Sequence, residues 1–358
     1  MSNKNIQEIT QFADAIEPPS EVWRQKAHVH LDKLTKPLGS LGRLEDLASQ
    51  VVAIRRENFT APLKKSALVF AADHGITAEG VSAYPKEVTY QMVLNFLREG
   101  AAINVLSHIH NADLRVVDVG VDADFDSIPG LLNRKVARGT RNMLHEPAMS
   151  EEQVAEAISV GMLVAEDAFA VGTNMIAIGE MGIGNTTSAS AITCALTGAT
   201  PESATGRGTG VDPKRHAHKV AVVRTLSHVH FDSSSRPTVF DILRCVGGLE
   251  IAAMVGGILA AAHHKLIVVI DGFISTAAAA LAVALSPNVQ GYLIAGHQSE
   301  EPGHKLLLEY LRLTPILSLN MRLGEGTGAI LAMPIIESSI ALYCRMATFD
   351  SAGVSEAS

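Results

Sequence analysis

The sequence predicts an α/β protein built on a mostly parallel six-stranded sheet, with a small helical part made from both ends of the chain. Three observations predict it. Six short apolar runs have the length and branched content of buried parallel strands. Helical patterns separate most of them, and strands alternating with helices imply a parallel sheet. The first 60 residues carry no strand signal, and the last apolar segment reads as a helix.

In chain order, Trp23 to Leu34 and Leu41 to Arg56 read as helices separated by Lys36-Pro37-Leu38-Gly39. The strand candidates are Ser66 to Ala72, Leu114 to Val119, Met175 to Gly179, Leu266 to Ile270, Val289 to Ala295 and Thr314 to Leu319. Lys86 to Ser107, Glu151 to Val171, Thr187 to Leu196 and Leu249 to Ala262 repeat every 3.6 residues or are apolar all round, so they read as helices. Ala329 to Met346 is a further apolar helix with Pro334 inside it, and a disordered tail is expected from Ser351. These boundaries divide the chain into a helical segment at 1–60, a catalytic α/β domain at 61–327 and a returning helix with its tail at 328–358.

The residues just after each strand candidate are polar and glycine-rich. They are Asp73-His74-Gly75, Gly120-Val121-Asp122, Glu180 with its glycines, Asp271-Gly272-Phe273, Gly296-His297-Gln298 and Gly324-Glu325-Gly326. In open parallel sheets, ligands bind beyond the carboxyl ends of the strands. Clustering of this kind at six ends points to an enzyme.

Hydrophobic residues make up 47% of the 358 and aromatics only 4%, so a sizeable core is built from Ala, Val, Leu and Ile. There are 29 basic and 37 acidic residues, a net charge of −8, with no basic stripe carrying aromatics, which argues against a nucleic-acid partner. Cys194, Cys245 and Cys344 lie far apart in apolar contexts, as buried free thiols of a reducing compartment do. No apolar signal segment follows Met1, and Val246 to Ala262 is short and contains Glu250, so it reads as a buried helix and not a membrane span. A cytoplasmic protein is expected.

Gly182-Ile183-Gly184-Asn185-Thr186-Thr187 follows a strand and opens a helix, where free N–H groups, the helix dipole and two hydroxyls suit a phosphate. An ordinary cap on Asn185 or Thr186 is the plainer reading, and it would not need the glycines. The stretch is neither a Walker A loop nor a dinucleotide fingerprint. Thr205-Gly206-Arg207-Gly208-Thr209-Gly210, with Lys214, Arg215 and Lys219 downstream, is compatible with a second wall of the same phosphate site or with a plain flexible loop. Glu325 and Glu180 sit beside glycines at strand ends. Each is compatible with a catalytic carboxylate or with a solvated loop charge. Ser82, Tyr84 and Gln91 mix hydroxyl, aromatic and amide groups, as a pocket for a flat heterocycle would, or as a Tyr-Pro turn before a helix would. His297, Glu301 and His304 have metal-ligand chemistry, but the intervening Pro302-Gly303 breaks helical spacing, so no metal is expected. The pairs His28/His30, His108/His110, His216/His218 and His228/His230 are scattered and read as surface residues.

At these motifs the chain resembles the nicotinate-nucleotide–dimethylbenzimidazole phosphoribosyltransferases of cobalamin assembly. The resembling segments are Leu31 to Glu45, Ala71 to Gly75, Glu79 to Pro85, Gly179 to Thr187, Asp271 to Phe273 and Leu323 to Ala329. The resemblance runs from about residue 30 to 345. It implies a Rossmann-like sheet, a homodimer, and transfer of phosphoribose from nicotinate mononucleotide to 5,6-dimethylbenzimidazole with no cofactor. It implies that Glu325 is the catalytic base, that Glu180 is the second important glutamate, and that Ser82, Tyr84 and Gln91 contact the azole. The chain departs from the family's pattern at Arg98-Glu99-Gly100, where a glycine pair often stands, and at Gly296, where a serine often precedes the histidine. Both departures bear on loop contacts and neither touches Glu325. Two rival readings are a nucleoside phosphorylase-like enzyme on the same fold and a non-catalytic azole or nucleotide sensor.

Overall fold

The computed structural model describes residues 4–57, 63–125, 128–231 and 237–355. The chain opens with helices α1 (Ile6–Asp14), α2 (Glu21–Asp32) and α3 (Arg43–Arg55). Then come β1 (Lys65–Ala72), α4 (Glu87–Leu97), α5 (Ala102–Ile109), β2 (Ala112–Gly120), β3 (Leu131–Asn133), α6 (Glu151–Ala170), β4 (Met175–Met181) and α7 (Asn185–Thr197). Next are α8 (Pro201–Ala204), α9 (Pro213–His230), α10 (Val239–Val246) and α11 (Leu249–His263). The chain ends with β5 (Ile267–Ile270), α12 (Phe273–Leu285), β6 (Leu293–Ala295), α13 (Pro302–Leu311), α14 (Thr327–Arg345) and α15 (Phe349–Ala352).

The six strands form one sheet in the order β3-β2-β1-β4-β5-β6, and every pairing is parallel. This is the doubly wound order, with its reversal between β1 and β4. Helices α6, α11 and α12 cover one face, and α4, α5 and α14 the other. Burial on both faces explains why β1 and β5 are apolar without alternation. Helices α6 and α11 cross closely enough that a Cβ on Gly161 would strike the Ala253 carbonyl, and one on Gly256 the Ile158 carbonyl.

Helix α3 packs on α2 and α14, whereas α1 lies against α6 and α12. The Lys33 carbonyl accepts a hydrogen bond from Phe349 N–H at 3.0 Å, and the Ala347 carbonyl accepts one from Thr35 N–H at 2.9 Å. Helix α14 is long and apolar enough to cross a membrane by length and composition, yet it packs on α3, α5, β4 and β5.

Several expectations need correction. Thr314–Leu319 is not a strand of the sheet. It meets β6's extension through a single parallel bridge, Leu317 to His297, and the sixth strand is β3 at the opposite edge. Only the last three residues of Val289–Ala295 are strand, because Pro287 starts a 3₁₀ turn running to Tyr292. The single helix expected over 86–107 is two. Glu99 turns left-handed (φ 60°) before Gly100, and Asn104 caps both pieces by accepting from Ala101 N–H and donating to the Phe96 carbonyl. Ser351 belongs to α15, whose Thr348 and Ser351 form a capping box, so the tail is ordered at least that far. Residues 356–358 lie outside the described residues. Cys194 and Cys245 are buried free thiols as expected, but Cys344 is exposed. His30 is half-buried and bonded to the Tyr343 carbonyl, and His230 likewise to that of Met143, so neither is a plain surface residue.

Candidate active site

The parallel register sets the site. Ile178 pairs with Ile270 and Ile270 with Ala295, so the chain leaves β4, β5 and β6 on one level. There Glu180, Asp271 and His297 converge on a cavity of about 300 Å³. The loops before α14 and before α9 close it with Arg322, Leu323, Gly324 and Glu325, and with Gly208 and Thr209.

Both glutamates that the sequence singled out face this cavity and are buried. Their approach depends on glycine, since a Cβ on Gly324 would run into Glu180 Oε1. Asn185 Nδ2 donates to Glu180 Oε2. Burial, reinforced by Glu250, Asp271 and Glu325, pushes the Glu180 carboxyl up to about 8. Burial also pushes Glu325 up to about 7; the Ile103 N–H opposes this and Asp271 adds to it. Glu325 Oε2 is buried with no hydrogen-bond partner, as a proton acceptor waiting for a ligand would be. Below the site Glu250 receives His74 Nε2 at 2.6 Å, with both side chains almost fully buried.

The opposite end of the cavity is formed by the start of α7 and the glycine-rich loop before α9. Helix α7 begins after Gly184, with no side-chain cap. The plainer cap reading therefore fails, because the Asn185 side chain turns to Glu180 and the Thr186 hydroxyl accepts from Lys219 Nζ at 2.7 Å. Gly182, Asn185 and Thr186 line the cavity, whereas Gly184, Thr187 and Lys219 lie outside its lining. Gly208 closes the other side, where a Cβ would stand 2.7 Å from Thr186 Oγ1 and 2.9 Å from Lys219 Nζ. The loop is pinned by Gly208 N–H to Glu301 Oε1 at 2.8 Å and by Arg322 to the Gly208 carbonyl at 3.2 Å. Burial lowers Lys219 to about 8, against the pull of Glu301.

The azole residues divide. Tyr84 lines the mouth. Ser82 bonds Thr209 Oγ1 at 3.2 Å and ties the Tyr84 segment to the glycine-rich loop. Gln91 is exposed on α4 and is not among the lining residues. Apolar walls come instead from Met181, Phe273, Ile274 and Leu323.

Sequence reasoning gave no role to Asp271, Glu301 or Arg322. Asp271 lay inside a quoted motif at a strand end, and Arg322 three residues before Glu325, so position was a usable signal for both. Glu301 reads from the sequence only as a metal-ligand candidate. Among the described residues no cluster of three metal-ligating side chains forms. His304 accepts from Ser299 N–H at 2.8 Å through Nδ1, which leaves Nε2 to donate to Thr276 Oγ1 at 2.9 Å, and burial lowers its pKa to about 3. It is a structural, neutral histidine.

A family model described as phosphoribosyltransferase matches residues 16–354. A protein of Geotalea uraniireducens (strain Rf4) named nicotinate-nucleotide–dimethylbenzimidazole phosphoribosyltransferase is 51% identical over 341 residues, covering 95% of this chain and 96% of the relative. One of the same name from Geobacter sulfurreducens (strain ATCC 51573 / DSM 12127 / PCA) is 48% identical over 348 residues, 97% of this chain and 98% of the relative. The crystal structure of CobT from Thermus thermophilus superposes with a TM-score of 0.90 at 43% identity, over 94% of this chain and 100% of that one.

Proposed function

The chain belongs to the nicotinate-nucleotide–dimethylbenzimidazole phosphoribosyltransferase family, and on that premise we propose how its cavity works. The protein is a phosphoribosyltransferase. It transfers the phosphoribosyl group of nicotinate mononucleotide to 5,6-dimethylbenzimidazole, giving α-ribazole 5′-phosphate and nicotinate for the lower ligand of cobalamin. One observation carries the reading. A single cavity has Thr186 and Gly208 at one pole, with the buried Lys219 behind them bonded to Thr186, and a pole of buried carboxyl groups at Glu180, Glu325 and Asp271. That polarity suits a ligand with an anionic phosphate at one end and a cationic pyridinium ring at the other.

The ring leaves as a neutral nitrogen, so positive charge develops on the ribose. Glu180 holds a proton near neutrality in the free protein. A bound cation beside it favours the carboxylate, which then stabilises the developing charge. The azole attacks through one ring nitrogen from the face opposite the leaving group and inverts β to α. The proton on its other nitrogen goes to Glu325, whose pKa near 7 matches the task. Lys219 and Thr186 hold the phosphate, and Tyr84 with the apolar walls frames the azole. The rival readings are not favoured, since full-length relatives at about half identity carry the transferase name.

We read the protein as cytoplasmic, supported by the buried thiols Cys194 and Cys245. We also read it as a homodimer, for which exposed Val22 and Val29 on α2 offer apolar surface. Incubation with nicotinate mononucleotide and a panel of azoles tests the activity. Nicotinate release that depends on the azole is expected, and release that ignores it would point to a hydrolase.

A further inference from the structure

Glu325 is held by its backbone. Its φ of 65° lies between Gly324 and Gly326, both at 91°, so three successive residues are left-handed. A residue with a Cβ keeps that conformation only where its surroundings impose it. Asp271 binds the residues that follow Glu325. Oδ2 accepts from Gly326 N–H at 3.1 Å, and Oδ1 accepts from Gly328 N–H at 2.6 Å and Ala329 N–H at 3.2 Å. Asp271 is itself fixed, since its N–H donates to Ser275 Oγ at 3.0 Å, and Ser275 donates to the Gly272 carbonyl at 3.2 Å. From β4, Gly179 leaves the necessary room; a Cβ there would stand 2.5 Å from the Glu325 carbonyl oxygen.

We propose that Asp271 is a positioning residue for Glu325, joining the first turn of α14 to the end of β5 so that the Glu325 carboxyl is presented to the cavity in one conformation. The proposal rests on the reading of Glu325 as the base. Asp271 also acts through its charge. The groups facing Glu325 are Asp271 from the β5–α12 loop, Glu180 from β4 and the Ile103 N–H from α5. Beyond them His297 Nε2 stands 3.4 Å from Asp271 Oδ1, Glu250 of α11 is paired with His74, and Arg322 and Glu301 line the cavity. Of the two side-chain carboxyls facing Glu325, Asp271 is the one that both raises its proton affinity and bonds its turn. A plain helix cap would do only the second.

Two variants separate charge from position. Asp271→Asn keeps an acceptor and removes the charge; Asp271→Glu keeps the charge and displaces it by one methylene. The Glu325 carboxyl is titrated by ¹³C NMR with labelled glutamate, its signal assigned by its loss in Glu325→Gln, and nicotinate release is measured in parallel. Asp271→Asn should move the Glu325 titration to lower pH by roughly half a unit or more. It should move the acid limb of kcat/KM with it. Asp271→Glu should leave that titration near the parent's and lower kcat by roughly tenfold or more, with KM for nicotinate mononucleotide within about twofold, as a misplaced base would. A parental titration in Asp271→Asn would overturn the proposal, and so would a parental kcat in Asp271→Glu, which alone decides if the Asn variant does not fold. If the parent protein releases no nicotinate, the reading of the site fails, while the NMR titration still decides the link between Asp271 and Glu325.

Discussion

The proposed chemistry turns on two carboxyl groups that burial has made weak acids. Replacing Glu325 by Gln keeps size and hydrogen bonding and removes the proton acceptor. Steady-state assays should show kcat lower by roughly 10²-fold or more with nucleotide KM little changed; a loss under about threefold would remove Glu325 from the base role. Because both Glu325 and Glu180 must lose the protons they hold in the free enzyme, kcat/KM of the parent should rise with pH through about 7 and level off only above about 8. The same shifts carry a stability consequence of known sign. Glu180 moves from 4.5 to about 8, so between those pH values the folded protein binds more protons than the unfolded chain. Stability contributed by the group is present below that window and lost as pH rises through it. Glu180→Gln should therefore flatten the fall in Tm between pH 5 and 8, and an unchanged Tm profile would contradict the burial argument. Glu180 and Glu325 were legible in the sequence because glycine on their flanks marks a close approach. The place of Asp271 at a strand end was legible too, but its role was not, because its partners lie 55 to 58 residues downstream and nothing local announces them.

The proposed phosphate end depends on how α7 begins. A helix capped by its own Asn or Thr would have spent those side chains on itself. Here Gly184 takes the cap position, Asn185 turns to Glu180, and Thr186 meets Lys219 from α9. If these groups with Gly208 bind the 5′-phosphate, nicotinate riboside should be a far poorer substrate. Each charge-assisted contact contributes roughly 1.5–3 kcal/mol, so two or three separate the substrates by several powers of ten in kcat/KM. Equal values for nucleotide and riboside would reduce this helix start to a structural feature. The helix and its glycines were readable from the pattern, because an apolar strand, a glycine pair and two threonines are local. That Gly208 must lie against Thr186 was not readable, since the loop's register is set by Glu301 and Arg322 from distant segments.

The sheet as a whole decides where these elements meet. Four of its strands were plain in the apolar runs near residues 66, 114, 175 and 266, because burial on both faces leaves no alternation to disguise them. The edges were not plain. Leu131–Asn133 is three residues long with no apolar run, and Thr314–Leu319 looks like a strand but pairs only through a single parallel bridge beside the residues that follow β6. Both edge strands are only three residues long, so composition says little about them. The packing of α6 on α11 gives a test away from the site. Gly256→Ala forces a methyl onto the Ile158 carbonyl and should cost roughly 1–3 kcal/mol in urea unfolding. KM should be unchanged while the protein is folded, and an unperturbed midpoint would mean the helices sit further apart than described. The reaction itself is read most directly from the stereochemistry of its product. ¹H NMR of a single turnover on nicotinate mononucleotide and 5,6-dimethylbenzimidazole should show nicotinate and a ribazole 5′-phosphate with the anomeric proton of the α linkage. A β-linked product, or ribose 5′-phosphate with no azole attached, would contradict attack opposite the leaving group by an azole that gives its proton to Glu325.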